Sequence, residues 1–164
     1  MAFDVRTLQK GDDRATFDCG EEPLNTFFRR FAHHHQHKHG ISVTWLAVED
    51  SRIGGFITLT ATTVNCDQVP SERSFPPLQL PALLIARLGT NIDARGRGVG
   101  ALLLRTALLT AVRMRRDVGC VGVLVDSKPD AVGFYKRYDF VPTGTSGPQD
   151  RLYLPYSAID DAVG

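Results

Sequence analysis

The residues with the clearest chemical potential lie in a glycine-rich segment, Arg95-Gly96-Arg97-Gly98-Val99-Gly100. Glycines leave backbone N–H groups uncovered, so that phosphate oxygens can approach them closely. A run with helical periodicity follows at once, and the N-terminus of such a helix adds about half a positive charge at the same place. The spacing matches neither a Walker loop nor the G-x-G-x-x-G dinucleotide motif. The segment predicts either an anion cradle, best suited to a pyrophosphate, or a tight strand-to-helix turn.

Two other groups of reactive side chains carry less functional information. Five histidines between His33 and His39 include pairs at i and i+4, as zinc ligands can be, but no nearby carboxylate or cysteine joins them. We interpret them as a solvated helix end that becomes cationic below about pH 6.5. The cysteines Cys19, Cys66 and Cys120 are odd in number and far apart, which excludes a disulfide framework and a zinc ribbon. Cys19 and Cys120 are expected to be small buried hydrophobes.

Length and composition place these residues in a globular protein. The 164 residues suit one domain spanning residues 1–164, and 43% of them are hydrophobic. The formal net charge of +1 excludes a polycation, so any contact with nucleic acid must use a local patch. The most apolar stretch, Leu80–Ala86, contains Pro81 and is far shorter than the ~20 residues that span a bilayer. The N-terminus does not resemble a signal peptide, so we expect a cytoplasmic protein with reduced thiols and no membrane partner.

Hydrophobic periodicity predicts the elements that position the glycine-rich segment. Helices are predicted over Glu21–Phe31, Gly98–Asp117 and Pro129–Tyr138. Strands are predicted over Phe3–Leu8, Val43–Glu49, Ile53–Val64, Leu83–Thr90, Val121–Val125, Phe140–Val141 and Arg151–Leu154. Cys66–Leu80 is expected to be a loop because it holds three prolines. The buried stripe of the first helix is expected to comprise Leu24, Phe27, Phe28 and Phe31. This order of elements indicates a mixed α/β layer fold.

Two motifs make the chain similar to the GNAT acetyltransferases. Arg95-x-x-Gly98-x-Gly100 matches the family motif Q/R-x-x-G-x-G/A, and the segment from Val132 to Phe140 resembles the family segment A-x-x-F-Y-x-x-x-G-F. The resemblance implies an α/β GNAT fold with a mixed central sheet of about six to seven strands and about four flanking helices. It also implies acetyl-CoA as cosubstrate, with the pyrophosphate on the amides of the glycine-rich loop. The implied acetyl-CoA site comprises Leu88, Gly89, Thr90, Arg95, Gly96, Arg97, Gly98, Val99, Gly100 and Ala101.

A narrower resemblance is to the GNAT toxins of toxin–antitoxin modules. Phe17-Asp18-Cys19-Gly20, followed by Leu24-Asn25 and Phe27-Phe28, is similar to their F-D-C-G…L-N…F-L segment. Leu84–Leu88 resembles their L-L-G-R-L-A-V strand, although Gly89-Thr90 replaces Ala-Val, and Val125–Lys128 resembles V-D-A-K. A second departure is Asp139, which stands where the family usually has glycine. The resemblance implies acetylation of the α-amine of aminoacyl-tRNA, and a ribbon-helix-helix antitoxin as partner.

The implied reaction is direct attack of a neutral amine on a thioester, which needs an acid for the departing thiolate. Tyr135 suits this role because a tyrosine titrates near ~10 and a thiol near ~8.5. Its alternative role is that of a half-buried aromatic on a helix. Glu49 and Asp126 end predicted strands, but each could equally cap or solvate, so no general base is identified. An α-amine titrates near ~8 and needs little help, which is consistent with a missing base.

The cationic side chains leave the acceptor open. Arg95 and Arg97 would favour an anionic ligand beside the cradle, and with Lys38, Lys136 and Arg137 they are candidates for a basic rim around an RNA acceptor stem. The arginines of solvated helix faces are expected to be Arg29, Arg30, Arg113, Arg115 and Arg116. The alternatives to a tRNA-acetylating toxin are an enzyme for a small-molecule or protein amine, and a non-catalytic acyl-CoA-binding interaction protein. The oligomeric state is left open, with a homodimer among the alternatives.

Overall fold

Seven strands form one mixed sheet in the computed structural model, which describes residues 2–70, 74–144 and 150–163. The strands are β1 (Asp4–Thr7), β2 (Val43–Glu49), β3 (Arg52–Asn65), β4 (Gln79–Thr90), β5 (Gly122–Ser127), β6 (Val141–Pro142) and β7 (Asp150–Pro155). Their order in the sheet is β1-β2-β3-β4-β5-β7-β6. β4 and β5 run parallel, whereas β1–β2, β2–β3, β5–β7 and β6–β7 pair antiparallel. The expected α/β class and number of strands are confirmed.

The helical elements range from single turns to one long helix. The α-helices are α1 (Glu22–Thr26), α2 (Val99–Asp117), α3 (Val132–Lys136) and α4 (Tyr156–Val163). Two π-helical turns, Phe27–Phe31 and His34–Lys38, follow α1. Short 3₁₀ turns cover Cys66–Gln68, Ile92–Ala94 and Pro129–Ala131. The sequence did not predict α4. Within the described residues, no helix is both long and apolar enough to cross a membrane.

A hairpin joins β2 to β3 through the residues that separate the two predicted strands, Val43–Glu49 and Ile53–Val64. Asp50 and Ser51 adopt φ values of 50° and 65°. This left-handed backbone lets a short connection follow the right-handed twist of the two strands. The register shifts between Ala47 and Val48, which pair with Gly55 and Ile53 respectively, so a β-bulge lies just before the turn. The bulge and turn fix where the side chain of Glu49 projects.

Two compact units are distinguished by their internal contacts, and β3, β4 and α2 each contribute to both. The first unit consists of Met1–Thr60 with Ala86–Ala107. Its core is built around aromatic rings. Phe28 stacks on Phe56 with ring centroids 4.4 Å apart, and Phe17 meets Phe28 edge-on at 4.7 Å. All three rings are buried, so they fix the π-helical segment against β3.

Phe31 departs from the expectation of a buried stripe. It is 48% exposed, whereas Ala32 is fully buried in the core. The reason is the π-helical turn, in which the N–H of Ala32 donates to the carbonyl of Phe27. This i→i+5 step adds a residue to the turn and rotates the following side chains. The prediction of α-helical spacing across Phe31 is therefore wrong, and an aromatic ring is left on the surface.

The second unit consists of Ala61–Ile85 with Leu108–Gly164. Leu83, Leu84 and Ile85 of β4 pair with Val123, Leu124 and Val125 of β5. β4 begins at Gln79, four residues before the predicted start, and includes Pro81. Pro81 lacks an N–H, but its carbonyl accepts from the N–H of Val121 at 2.9 Å. The prediction that the loop extends to Leu80 is therefore wrong.

Gly122 provides a test of packing in the second unit. The Leu154 carbonyl oxygen and the Tyr153 ring occupy the space that a Cβ at Gly122 would need. We expect Gly122→Ala to lower the free energy of unfolding by about 1–3 kcal/mol, as overpacking usually does. Urea denaturation followed by circular dichroism measures the change. Gly11→Ala is the control, since nothing lies within 4 Å of its added Cβ, and equal losses in the two variants would contradict the packing argument.

Candidate active site

The glycine-rich loop connects β4 to α2, as predicted. Gly96 and Gly98 have φ values of 79° and 77°, and nothing lies within 4 Å of a Cβ built at either residue. The first turn of α2 is closed by a hydrogen bond from the Leu102 N–H to the Gly98 carbonyl, at 3.1 Å. The preceding amides, those of residues 99–101, belong to the helix N-terminus and are not used by the helix ladder. The loop thus offers open space beside free N–H donors, which is the geometry of an anion site.

Arg95 ties this loop to the N-terminal part of the first unit. Its Nη2 donates to the Cys19 carbonyl at 2.9 Å, and the Ile92 N–H donates to the Asp18 carbonyl at 2.9 Å. Gly20 has φ 88°, and a Cβ there would lie 2.7 Å from Arg95 Nη2, so the glycine makes room for the guanidinium. The sequence suggested only that Arg95 attracts an anion. Its observed hydrogen bond gives it a structural role, which the residue spacing did not indicate.

Arg97 is paired with a carboxylate that was a candidate base. Its two terminal nitrogens donate to the two Glu49 carboxylate oxygens, each at 2.9 Å, and its guanidinium lies 4.6 Å from the centroid of the Phe3 ring. These hydrogen bonds lower the pKa of Glu49. A carboxylate held in this way is a weaker proton acceptor, so the pairing disfavours Glu49 as a general base. It also offsets the positive charge expected from Arg97.

Two glycines make the end of β4 fit closely against its neighbours. A Cβ at Gly55 would lie 2.6 Å from the Val99 side chain and 2.9 Å from the Gly89 carbonyl oxygen. A Cβ at Gly89 would lie 3.0 Å from the Phe56 ring and 3.4 Å from Cys19. The departure at Gly89 from the alanine of the toxin motif therefore has a packing reason. The predicted site residues Leu88 and Thr90 flank it and are half-buried.

Tyr135 lies on α3 in the second unit. Its side chain is 4% exposed, and its ring meets those of Phe134 and Phe140 edge-on at 5.1 and 5.4 Å. Burial raises the pKa of its hydroxyl. Within the part of the chain that the structure describes, the hydroxyl has no hydrogen-bond partner. The hydroxyl therefore stays protonated at physiological pH and retains its hydrogen for a ligand.

Asp139 and Asp126 complete the predicted features of the second unit. Asp139 adopts φ 71°, which explains why glycine is usual at this position, and aspartate is among the residues that tolerate such a backbone. Asp126, the other candidate base, accepts from Arg151 Nε at 2.7 Å and Nη2 at 2.9 Å. Both carboxylates that sequence reasoning singled out are thus held by bidentate arginines.

Several other candidates have structural partners. Arg29 donates to the Phe17 carbonyl, and Arg115 donates to the Cys120 carbonyl at 2.8 Å, so neither is merely a solvated helix charge. Burial raises the pKa of both Cys19 and Cys120, which disfavours the reactive thiolate. Among the described residues, no group of three or more His, Cys, Asp or Glu side chains could hold a metal ion.

Sequence reasoning assigned no role to Arg87 of β4. Its guanidinium lies 3.9 Å from the centroid of the Phe27 ring and lines a groove in the first unit. Two signals were available: Arg87 stands at the arginine of the L-L-G-R-L-A-V motif, and it is the single charged residue within the otherwise apolar run Leu83–Leu88.

Comparison with known proteins places these features in context. Residues 40–142 match the family model described as acetyltransferase (GNAT) domain. The "tRNA-acetylating toxin" of Mycobacterium tuberculosis is 31% identical over 151 residues, which cover 91% of this chain and 88% of the toxin. The structure of AtaT complexed with acetyl-methionyl-tRNAfMet has a TM-score of 0.86 at 25% identity, covering 96% and 97% of the two chains. That of AtaTR bound with AcCoA has a TM-score of 0.80 at 26% identity, covering 97% and 96%.

Proposed function

This chain belongs to the GNAT acetyltransferase family, and on that basis we propose that it transfers the acetyl group of acetyl-CoA to the α-amine of aminoacyl-tRNA. The observation that supports acetyl-CoA as the cosubstrate is the glycine-rich loop, with its left-handed glycines and the N-terminal amides of α2. The choice of acceptor is supported by the relative named for tRNA acetylation, which aligns with nine-tenths of this chain.

The loop residues fit acetyl-CoA. The open space over Gly96 and Gly98 would be filled by any side chain, and the amides of Val99, Gly100 and Ala101 would donate to pyrophosphate oxygens. Leu88, Gly89 and Thr90 would supply backbone groups for the pantetheine. Acetyl-CoA contributes an activated thioester. The protein contributes binding through Arg95–Ala101 and orientation through the end of β4.

Tyr135 is proposed to be the proton donor. The amine nitrogen forms a bond to the carbonyl carbon, the carbon–sulfur bond breaks, and the Tyr135 hydroxyl gives its proton to the departing sulfur. The proton lost from nitrogen passes to solvent, from which Tyr135 is reprotonated. The raised pKa keeps the hydroxyl protonated but makes complete transfer of its proton to a thiolate less favourable. A strong hydrogen bond to the developing negative charge is therefore part of the role.

Neither of the two candidate general bases has a free carboxylate, and an α-amine is an acceptor that can react without one. Glu49 and Asp126 are each paired with an arginine. A lysine amine, with a pKa near ~10.4, would be almost wholly protonated at neutral pH and would need a base. An α-amine near ~8 has a substantial neutral fraction without one. The pairing pattern thus favours the acceptor that needs least help.

The cellular setting belongs to the same proposal. Charged tRNA is found in the cytoplasm, so we place the enzyme there, with a ribbon-helix-helix antitoxin as its expected protein partner. Residues 1–164 are proposed to act as one GNAT domain, because the family match over residues 40–142 includes parts of both units. Expression without an antitoxin should then arrest translation and growth.

The cradle is tested by adding a negative charge at its centre. Gly98→Asp should weaken acetyl-CoA binding by at least about tenfold, because a carboxylate would face the phosphates at a position that also disfavours side chains. Gly100→Asp should act in the same direction. Calorimetry on the folded variants measures the affinity. Gly40→Asp is the matched control, since Gly40 has φ 65° and open space around its Cβ. Unchanged affinity in the cradle variants would refute the assignment.

Tyr135 is tested by removing its hydroxyl alone. Tyr135→Phe should leave acetyl-CoA affinity unchanged and lower the rate of acetyl transfer by about 10²–10⁴-fold, the usual contribution of a general acid. Because burial raises the pKa of Tyr135, wild-type activity should rise as the α-amine loses its proton and show no decline from tyrosine ionisation below about pH 10. Single-turnover rates across pH provide the measurement. A rate within about twofold of wild type would reduce Tyr135 to a packing residue.

The acceptor is tested by mixing enzyme, acetyl-CoA and total charged tRNA. We expect acetyl-aminoacyl-tRNA as the product, with affinity that falls steeply with salt because phosphate contacts release cations. Charge reversal of the exposed Arg113 and Arg116 should weaken tRNA modification and spare acetyl-CoA binding. Polyamines and peptides are assayed in parallel. Rapid acetylation of a free amine with no acetylated aminoacyl-tRNA would identify a small-molecule or protein acetyltransferase instead.

A further inference from the structure

A groove in the first unit is not used by the proposed chemistry. It has a volume of about 510 Å³ and lies beside α1 and the first π-helical turn. Its cationic and aromatic lining comes from Arg87, Phe27, Phe31 and His35, and Glu22 lines it as well. Arg87 directly precedes Leu88–Thr90, the stretch of β4 proposed to hold the pantetheine. The groove therefore shares a strand with the proposed acetyl-CoA site.

Among the described residues, Arg87 is a cation that has no anionic partner. Its guanidinium covers the Phe27 ring at 3.9 Å, and loss of hydration lowers its pKa. Within residues 2–70, 74–144 and 150–163, no carboxylate or carbonyl oxygen accepts a hydrogen bond from it. By contrast, Arg6, Arg97 and Arg151 each hold a carboxylate in two hydrogen bonds. Its donors are thus available to a ligand that brings its own negative charge.

Phe31 adds an exposed aromatic ring to the groove. The π-helical turn takes it out of the core and leaves it 48% exposed. The His35 ring lies 6.4 Å from that of Phe31 and 5.4 Å from that of Phe27. Exposed flat rings next to an arginine are the usual means of holding unpaired nucleobases, since any base can stack on a ring while a phosphate pairs with the cation.

We propose that this groove binds the unpaired 3′ end of the acceptor tRNA, with a nucleobase stacked on Phe31 and a phosphate held by Arg87. The inference rests on the proposed function and extends it from the kind of substrate to the residues that recognise it. A peptide is the less suitable occupant, because the exposed rings beside the cation offer flat faces on which any nucleobase can stack. The aminoacyl ester would then be held beside Arg87 and the thioester beside Leu88–Thr90, and both stretches belong to β4.

Phe31 is tested by separating stacking from simple loss of apolar surface. Phe31→Ala should weaken binding of the single-stranded trinucleotide cytidine-cytidine-adenosine, and raise KM for aminoacyl-tRNA, by about 5- to 150-fold. Phe31→Tyr should keep trinucleotide binding and KM for aminoacyl-tRNA near their wild-type values, because the ring is retained. KM for acetyl-CoA should be unchanged. Ile41→Ala is the matched control, as Ile41 is 55% exposed and lies outside the groove.

Arg87 is tested against general loss of charge. Arg87→Ala should weaken trinucleotide binding and reduce its dependence on salt, whereas Arg105→Ala, which removes an exposed charge from α2, should do neither. Thermal unfolding confirms that each variant is folded. If Arg87→Ala does not fold, Arg87→Lys is used in its place, since it preserves the charge.

The outcomes separate this inference from the proposed function. If wild-type protein acetylates aminoacyl-tRNA but the Phe31 and Arg87 variants match their controls, the groove proposal is overturned and the activity stands. Tight binding of a peptide in the groove, with no trinucleotide binding, would also overturn it. If no aminoacyl-tRNA is acetylated, the proposed function itself fails. Trinucleotide binding that depends on both Phe31 and Arg87 supports the groove proposal, whether or not aminoacyl-tRNA is acetylated.

Discussion

The hydrogen bond from Arg95 to the Cys19 carbonyl joins parts of the first unit that are far apart in sequence. On one side lies the loop that leads into α2, and on the other the turn from Asp18 to Glu21 that leads into α1. Asp18 reinforces that turn by accepting from the Gly20 N–H and the Asn25 amide, which lowers its pKa. The Arg95 guanidinium, together with the hydrogen bond from the Ile92 N–H to the Asp18 carbonyl, therefore ties the segment that leads into α2 to the segment that leads into α1. The proposed cradle and groove both depend on this connection.

The sequence was most informative where a local rule decides the structure. The strand–glycine–helix succession at Arg95–Gly100 needs glycine at residues 96 and 98, because their backbone is left-handed and their surroundings must stay open. The hairpin before β3 and the long helix α2 follow from periodicity alone. The start of β4 was misplaced because the three prolines of Cys66–Leu80 indicated a loop up to Leu80, whereas the strand begins at Gln79.

Features that depend on tertiary contacts could not be obtained from spacing. The exposure of Phe31 follows from a π-helical turn that fits Phe27, Phe28 and Ala32 into one core, and a helical pattern does not reveal that extra residue. Likewise, Arg95 and Arg97 were identified as charges beside a cradle, but their partners Cys19 and Glu49 lie far away in sequence. The open glycine loop was therefore predictable, while the electrostatic balance around it was not.

The alternation of side chains along β4 relates the groove to the proposed cosubstrate strand. Arg87 covers Phe27, and a Cβ at Gly89 would meet Phe56 and Cys19, so both residues face the aromatic core of the first unit. Two residues along a strand are about 7 Å apart, a separation that the backbone fixes. Any ligand held by Arg87 is consequently kept in constant register with a ligand held at Gly89. Because π-helical turns are rare and often occur at functional sites, the exposed Phe31 ring is best understood as part of the same arrangement.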